Sequence, residues 1–421
     1  MRLRCMGDEV KSMRMVGALI CLGLLVAGCG GTQELLRPTR SDKLYEAVTA
    51  RGSQLVSVID SRSHSTDRRL PLGVPTGDWR HIYSIVSTSL IDTDPQTGAT
   101  RSSIQLQGTY QLPPATANGL PGGLSPNGQW LVVEAFDGSA NGMPSSTHML
   151  VIDTTTSRVW RKIDLGGYFR FDAVSNDGDR LYLIQHLNGK EYYVRLYDVI
   201  GGKLDDNIVV DKSDGNQAMV GTRLSGVATP DGHWLFSMYV REHESPFIHA
   251  LSLDGPYAFC LDLPGHGYVD SGAEMHWSLA INRDGSRLYA ANPATGAVAV
   301  ISPGANGAPA VLRTARFDKA MSVAGSASAA NAAVVSADGA TLVVGGPAGI
   351  AWIDTASLRV RAHALADWSV SSLGLSPGGL NLYAIGDDGR IAVISMATTS
   401  VSAKFDPAEG RPMSLMRVAA A

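Results

Sequence analysis

Seven glycine-bearing turns recur along this chain at a nearly constant interval, and that period limits the possible folds more than any other feature. They read Pro75-Thr-Gly-Asp-Trp, Ser125-Pro-Asn-Gly-Gln-Trp-Leu, Ser175-Asn-Asp-Gly-Asp-Arg-Leu-Tyr, Thr229-Pro-Asp-Gly-His-Trp-Leu, Asn282-Arg-Asp-Gly-Ser-Arg-Leu-Tyr, Ser336-Ala-Asp-Gly-Ala-Thr-Leu and Ser376-Pro-Gly-Gly-Leu-Asn-Leu-Tyr. Aligned on Gly77, Gly128, Gly178, Gly232, Gly285, Gly339 and Gly379, they are spaced by 51, 50, 54, 53, 54 and 40 residues. Asp-Gly or Asn-Gly supplies the positive φ of a tight strand reversal. Leu-Tyr or Trp-Leu then opens a strand with alternating burial, as in Leu181-Tyr-Leu-Ile. A third strand follows, such as Met149-Leu-Val-Ile-Asp153 or Ile350-Ala-Trp-Ile-Asp354, and then a fourth, such as Val159-Trp-Arg-Lys-Ile. Four antiparallel strands per period, without helical patterning, predict an all-β fold: a single β-propeller of four-stranded antiparallel blades.

The chain ends sharpen this expectation. Lys43-Leu-Tyr-Glu-Ala-Val, Gln54-Leu-Val-Ser-Val-Ile-Asp60 and Arg68-Arg-Leu-Pro-Leu72 read as the last three strands of a blade that lacks its first, and Pro412-Met-Ser-Leu-Met-Arg-Val418 reads as a lone first strand. Joining them closes the ring with strands from both termini and leaves no open sheet edge. The count is then eight blades; seven is the alternative, because Leu72-Gly-Val-Pro is short for an independent first strand. With 46 Gly, 20 Pro, 44 % hydrophobic and 18 % charged residues, the chain has both turns and core material. Collagen, coiled coil and a charged tail are excluded.

Leu288-Tyr-Ala-Ala-Asn-Pro-Ala-Thr-Gly-Ala-Val-Ala-Val-Ile-Ser302 resembles the YVTN-type repeat of bacterial surface and secreted propellers. Looser WD40-like and lactonase-like similarity runs through the rest of residues 40–421. The resemblance implies the fold and leaves the activity open, because this architecture hosts binding proteins, hydrolases and redox enzymes alike.

Residues 1–28 read as an export signal. Arg2, Arg4, Lys11 and Arg14 precede the apolar run Met15–Ala27, which is shorter than the ~20 residues that span a bilayer as a helix. Leu25-Val-Ala-Gly-Cys29 resembles the bacterial lipoprotein box, which implies that Cys29 becomes the diacylated N-terminus after cleavage. Two or more acyl chains, at roughly 0.8 kcal/mol per buried CH₂, hold a soluble domain stably at a membrane. Residues 29–39 then form a lipidated tether and residues 40–421 the propeller, exported and facing the extracytoplasmic side. Cys5 and Cys21 leave with the signal, so Cys260 remains as a lone thiol, expected to be buried in Tyr257-Ala-Phe-Cys-Leu, and the fold has no internal disulfide. Without residues 1–28, which carry four basic and two acidic residues, the net charge of −4 becomes −6, so there is no basic excess for nucleic acid.

Sites in a propeller gather on the face with the loops that enter each innermost strand. Arg170, Asp172, Arg223, Asn331 and Asp367 fall there, and the two arginines are suited to grip an anionic ligand. The competing use of such an arginine is to pair with a neighbouring acid and tighten adjoining blades. His243, His266, His276 and Glu274 offer imidazole and carboxylate groups for a divalent metal such as Zn²⁺, although their spacing matches no metal motif. The alternative places His243 and His266 on solvated loops and His276 at the start of a first strand. No nucleophile elbow, phosphate loop, haem-attachment motif or cysteine pair occurs. The expected function is therefore a monomeric, membrane-anchored platform that binds an envelope protein, a glycan or a small molecule, with no cofactor required. An exported lactonase-like hydrolase or an oxidoreductase is the alternative, and an envelope sensor a second one.

Overall fold

The computed structural model describes residues 41–211, 215, 217–269, 272–304, 307–317, 332–406 and 409–421. Residues 1–40, where the sequence leads one to expect an export signal, the acylated Cys29 and a tether, lie outside them, as does Asn331. The described chain forms eight antiparallel sheets arranged as a β-propeller. Numbered along the chain, blade 1 runs from Val74–Pro75 through Ile82–Val86 and Ser89–Thr93 to Thr100–Gln105, and blade 7 ends at Val401–Phe405. Blade 8 is composite: Arg411–Ala420 is its innermost strand, and Asp42–Ala50, Ser53–Asp60 and Thr66–Pro71 complete it outward. Lys43 lies opposite Ala419 and Leu44 opposite Val418. Both ends of the described chain therefore meet in one sheet, with eight blades rather than seven.

Strand alternation builds the core. In blade 6, Leu342, Val344, Ala351 and Ile353 pack against Tyr289, Val298 and Val300 of blade 5. Val343, Ile350 and Trp352 point the other way, to Leu382, Ala384 and Ile394 of blade 7. Each blade thus has two apolar faces, and the eight buried clusters correspond to the eight seams between neighbours. At roughly 25 cal/mol per Å² of apolar surface removed from water, these seams are the main favourable contribution to folding.

The recurring turn has a common wiring. In blade 3 the Ser175 hydroxyl accepts the Arg180 amide at 3.1 Å and donates to Asp177, Asp177 accepts the Asp179 amide, and Gly178 N–H donates back to the Ser175 carbonyl. Six of the seven turns have a glycine in the left-handed region at the fourth position: Gly128, Gly178, Gly232, Gly285, Gly339 and Gly379. Blade 1 corrects the sequence register. There Thr76 takes the serine's place, accepting the His81 amide, and Trp79 N–H donates to the Thr76 carbonyl. The left-handed residue is therefore Trp79, at φ 57°, and Gly77 lies two positions earlier. A bulky side chain in this conformation costs roughly 1–2 kcal/mol relative to glycine.

Blade 2 departs from the repeat. Three of its strands, Trp130–Asp137, Ser146–Asp153 and Arg158–Gly166, are regular, but its innermost position is split. Gln111 pairs with Glu134 and Leu124 with Leu131. Between them a hairpin closed by the Pro114–Pro121 bridge projects into the central channel. Its tip donates from Ala117 N–H to the Leu224 carbonyl of blade 4 at 2.8 Å, and from Asn118 Nδ2 to the Met413 carbonyl of blade 8 at 3.4 Å. Blades 4 and 8 stand opposite one another in a ring of eight, so the hairpin spans the channel. Leu224 is the extra residue of a β-bulge between Arg223 and Ser225, which leaves it outside the regular strand pairing.

Candidate functional site

Arg170 and Arg223 occupy equivalent positions in consecutive blades, each the second residue of its innermost strand, Phe169–Val174 and Thr222–Ala228. Each is held by an acid from the preceding blade. Arg170 Nη2 lies 2.7 Å from Oε1 of Glu134, which is fully buried in blade 2, while Glu134 Oε2 accepts the Phe171 amide at 3.1 Å. Arg223 Nη1 lies 3.3 Å from Oδ1 of Asp172, whose side chain is 1 % exposed. Asp172 is itself a bulge residue between Phe171 and Ala173, which turns its carboxylate towards blade 4. Both arginines thus tighten blades and also present their outer edges to the channel, at 25 % and 21 % side-chain exposure. Gly226 makes room for Arg223, because a Cβ there would lie 2.6 Å from Nη2.

The two guanidiniums line a cavity of about 350 Å³ against the hairpin tip, Ala115–Gly119. Phe171, Ile184, Tyr192 and Tyr239 form its apolar wall, and no Asp or Glu takes part in it. Burial works against the Arg170 charge, but the Glu134 carboxylate and the Tyr168 hydroxyl outweigh it and hold the guanidinium protonated. Burial, and secondarily the Arg170 charge, pushes His186 below the usual imidazole range, so it is neutral at pH 7. Burial raises the Tyr192 and Tyr239 phenols, whose rings stack at 5.9 Å. The charged groups of the wall are therefore all positive, with both acids behind it. On the turn side of the hairpin, Phe171, Asp172 and Arg223 also reach a second channel cavity.

The other candidates do not join this site. Asp367 is exposed on the loop between blades 6 and 7. His243 and His266 are exposed, whereas His276 is buried at the end of a short 3₁₀ helix, Gly272–His276, rather than at the start of a strand. Glu274 is buried and accepts Trp277 Nε1 at 3.0 Å and the His266 amide at 3.3 Å. Among the described residues no group of three or more His, Cys, Asp or Glu side chains has metal-holding geometry. Cys260 is half-buried, not fully buried, because it lies on the outermost strand of blade 4. Sequence reasoning missed Glu134, although a lone acid inside the apolar run Trp130-Leu-Val-Val-Glu-Ala is a signal for a buried, paired carboxylate. It also missed the hairpin, whose role depends on contacts with residues far along the chain.

No family model matches the chain, and no curated protein matches it. Among solved structures, apo AztD from Citrobacter koseri aligns with a TM-score of 0.57 at 11 % identity, covering 91 % of this chain and 98 % of that one. The dihydro-heme d1 dehydrogenase NirN in complex with DHE aligns at 0.52 with 14 % identity, covering 90 % and 74 %. The periplasmic gluconolactonase PpgL of Pseudomonas aeruginosa aligns at 0.44 with 17 % identity, covering 88 % and 97 %. The likeness to AztD and NirN is one of fold.

Proposed function

We propose that this protein is an exported, lipid-anchored propeller that binds a small anionic molecule at the channel mouth. The observation that carries the reading is the sorting of charge: Arg170 and Arg223 face the cavity while Glu134 and Asp172 stand buried behind them. Fixed guanidiniums in a partly apolar cavity hold a carboxylate or phosphate without paying for reorganisation on binding. About 350 Å³ suits a ligand at the small end of the usual range. Phe171, Ile184 and the tyrosines receive its apolar part.

The test is a thermal-shift screen of organic anions and neutral isosteres, repeated on Arg223→Gln and Arg170→Gln. Anions that raise Tm in the wild-type chain lose at least tenfold in affinity in Arg223→Gln. Equal shifts in both proteins, or hits among neutral compounds alone, reject the reading. The anchor rests on Leu25-Val-Ala-Gly-Cys29. It is tested by membrane fractionation of Cys29→Ala and by globomycin: unchanged membrane binding or unchanged precursor processing overturns it.

A further inference from the structure

A separate cavity of about 350 Å³ opens on the turn face, at the seam between blades 8 and 1. It follows from the way the ring closes. In the regular blades a turn links the innermost strand to the second, but in blade 8 these two strands come from opposite ends of the chain. Ala419 and Ala420 pair with Lys43 and Asp42, and Ala419, Ala420 and Ala421 line the cavity beside Lys43.

Trp79 and Tyr45 supply an aromatic floor, with ring centroids 5.3 Å apart. The Arg417 guanidinium lies 5.1 Å from the Trp79 ring centroid, and Arg68 Nη1 donates to the Pro95 carbonyl at 3.3 Å. Lys43 is neutralised by Asp60 and Asp67. Arg68 and Arg417 form no such ion pair among the described residues, although Asp78, beside Trp79, acts on Arg417 from outside the cavity, and no Asp or Glu lines it. Trp79 also holds the left-handed position of its turn, where the other six aligned turns carry glycine.

We propose that this cavity binds an oxyanion head group borne on a flat or apolar body, with Arg68 and Arg417 taking the oxygens and Trp79 packing against the body. Arginine forks and an aromatic face suit that combination. The inference is independent of the channel-mouth reading, since the two sites share no residue. A soluble phosphorylated compound and an anionic lipid offer the same chemistry, and the test separates them.

The Cys29→Ala full chain, which has no thiol at that position to acylate, is titrated calorimetrically with phenyl phosphate and with inorganic phosphate. It is also co-sedimented with vesicles of phosphatidylglycerol or of phosphatidylcholine. Saturable phenyl phosphate binding, weakened at least tenfold in Arg417→Gln and in Arg68→Gln and unchanged in Arg223→Gln, supports a soluble ligand. Arginine-dependent sedimentation with phosphatidylglycerol alone supports a lipid head group. Trp79→Gly, which installs the residue used by the other six turns, keeps the ring folded and removes the preference for phenyl phosphate over inorganic phosphate. Absence of saturable binding to every probe, or binding undiminished in both arginine variants, overturns the proposal.

Discussion

Glu46 lies in the closing blade, fully buried, and neither carboxyl oxygen has a hydrogen-bond partner. Its strand neighbours are Ser57 and Leu415. Burial alone pushes its carboxyl up from 4.5 to about 8. Below pH 4.5 the group is protonated in both states and costs nothing electrostatically. Between there and pH 8 the unfolded chain loses its proton and the folded one does not, so stability falls as pH rises, by ~1.4 kcal/mol per pH unit. The loss is about 3 kcal/mol at pH 7 and roughly 5 kcal/mol once pH exceeds the folded-state value, both order-of-magnitude figures. Glu46→Gln keeps the shape and cannot ionise. Urea unfolding of both proteins at steps from pH 4 to 9 is expected to give a stability difference that is constant at the acid end and shifts steadily in the variant's favour up to pH 8. Any penalty for burying an unpaired amide is independent of pH and displaces the whole curve without altering its slope. Parallel curves would refute the argument and mean that Glu46 has a partner in solution.

Three further expectations follow from the turns and the channel. Gly178→Ala places a Cβ 2.4 Å from the Trp130 ring at φ +78°, whereas Gly339→Ala at φ +71° meets nothing within 4 Å. Denaturant titration should show about 1 kcal/mol lost for the second, backbone strain alone, and roughly 3 kcal/mol for the first, where an indole must also move; equal losses would remove the packing argument. Gly226→Ala crowds the flexible end of Arg223 and should weaken anion binding at the channel mouth about tenfold with Tm nearly unchanged. Replacing residues 115–120 by Gly-Gly shortens the hairpin at its Pro114–Pro121 bridge. Far-UV circular dichroism should stay as in the wild type while the channel-mouth ligand binds at least tenfold more weakly, and retained affinity would show that the tip is no part of the site.

Much of this architecture is local, and local features are visible in a sequence. Asp-Gly pairs mark reversals because glycine adopts positive φ cheaply, and alternating Val, Ile and Leu mark strands buried on both faces. The closing blade was legible for the same reason: three strands without a first at one end and a first without partners at the other leave one way to satisfy two sheet edges. The sequence also placed Arg170, Asp172 and Arg223 at the channel, since a residue's position in a repeat fixes its position in the ring. The register error in blade 1 shows the limit of that reasoning. Gly77 looked like the turn glycine, but the hydroxyl that accepts the His81 amide is Thr76, and this wiring puts Trp79 in the left-handed position.

What tertiary structure alone decided depends on contacts between residues far apart in the chain. Glu134 and Asp172 reach their arginines across blade seams, so their roles as buried counter-charges appear only when neighbouring sheets are packed. The hairpin across the channel exists because a bulge leaves the Leu224 carbonyl for Ala117 while Met413 waits on the opposite wall. His243, His266, His276 and Glu274 shared a stretch of sequence, yet Glu274 turned to Trp277. Periodicity specifies the ring because each repeat folds by its own short-range rules. A site depends on which side chains converge from different repeats, and that is set by packing.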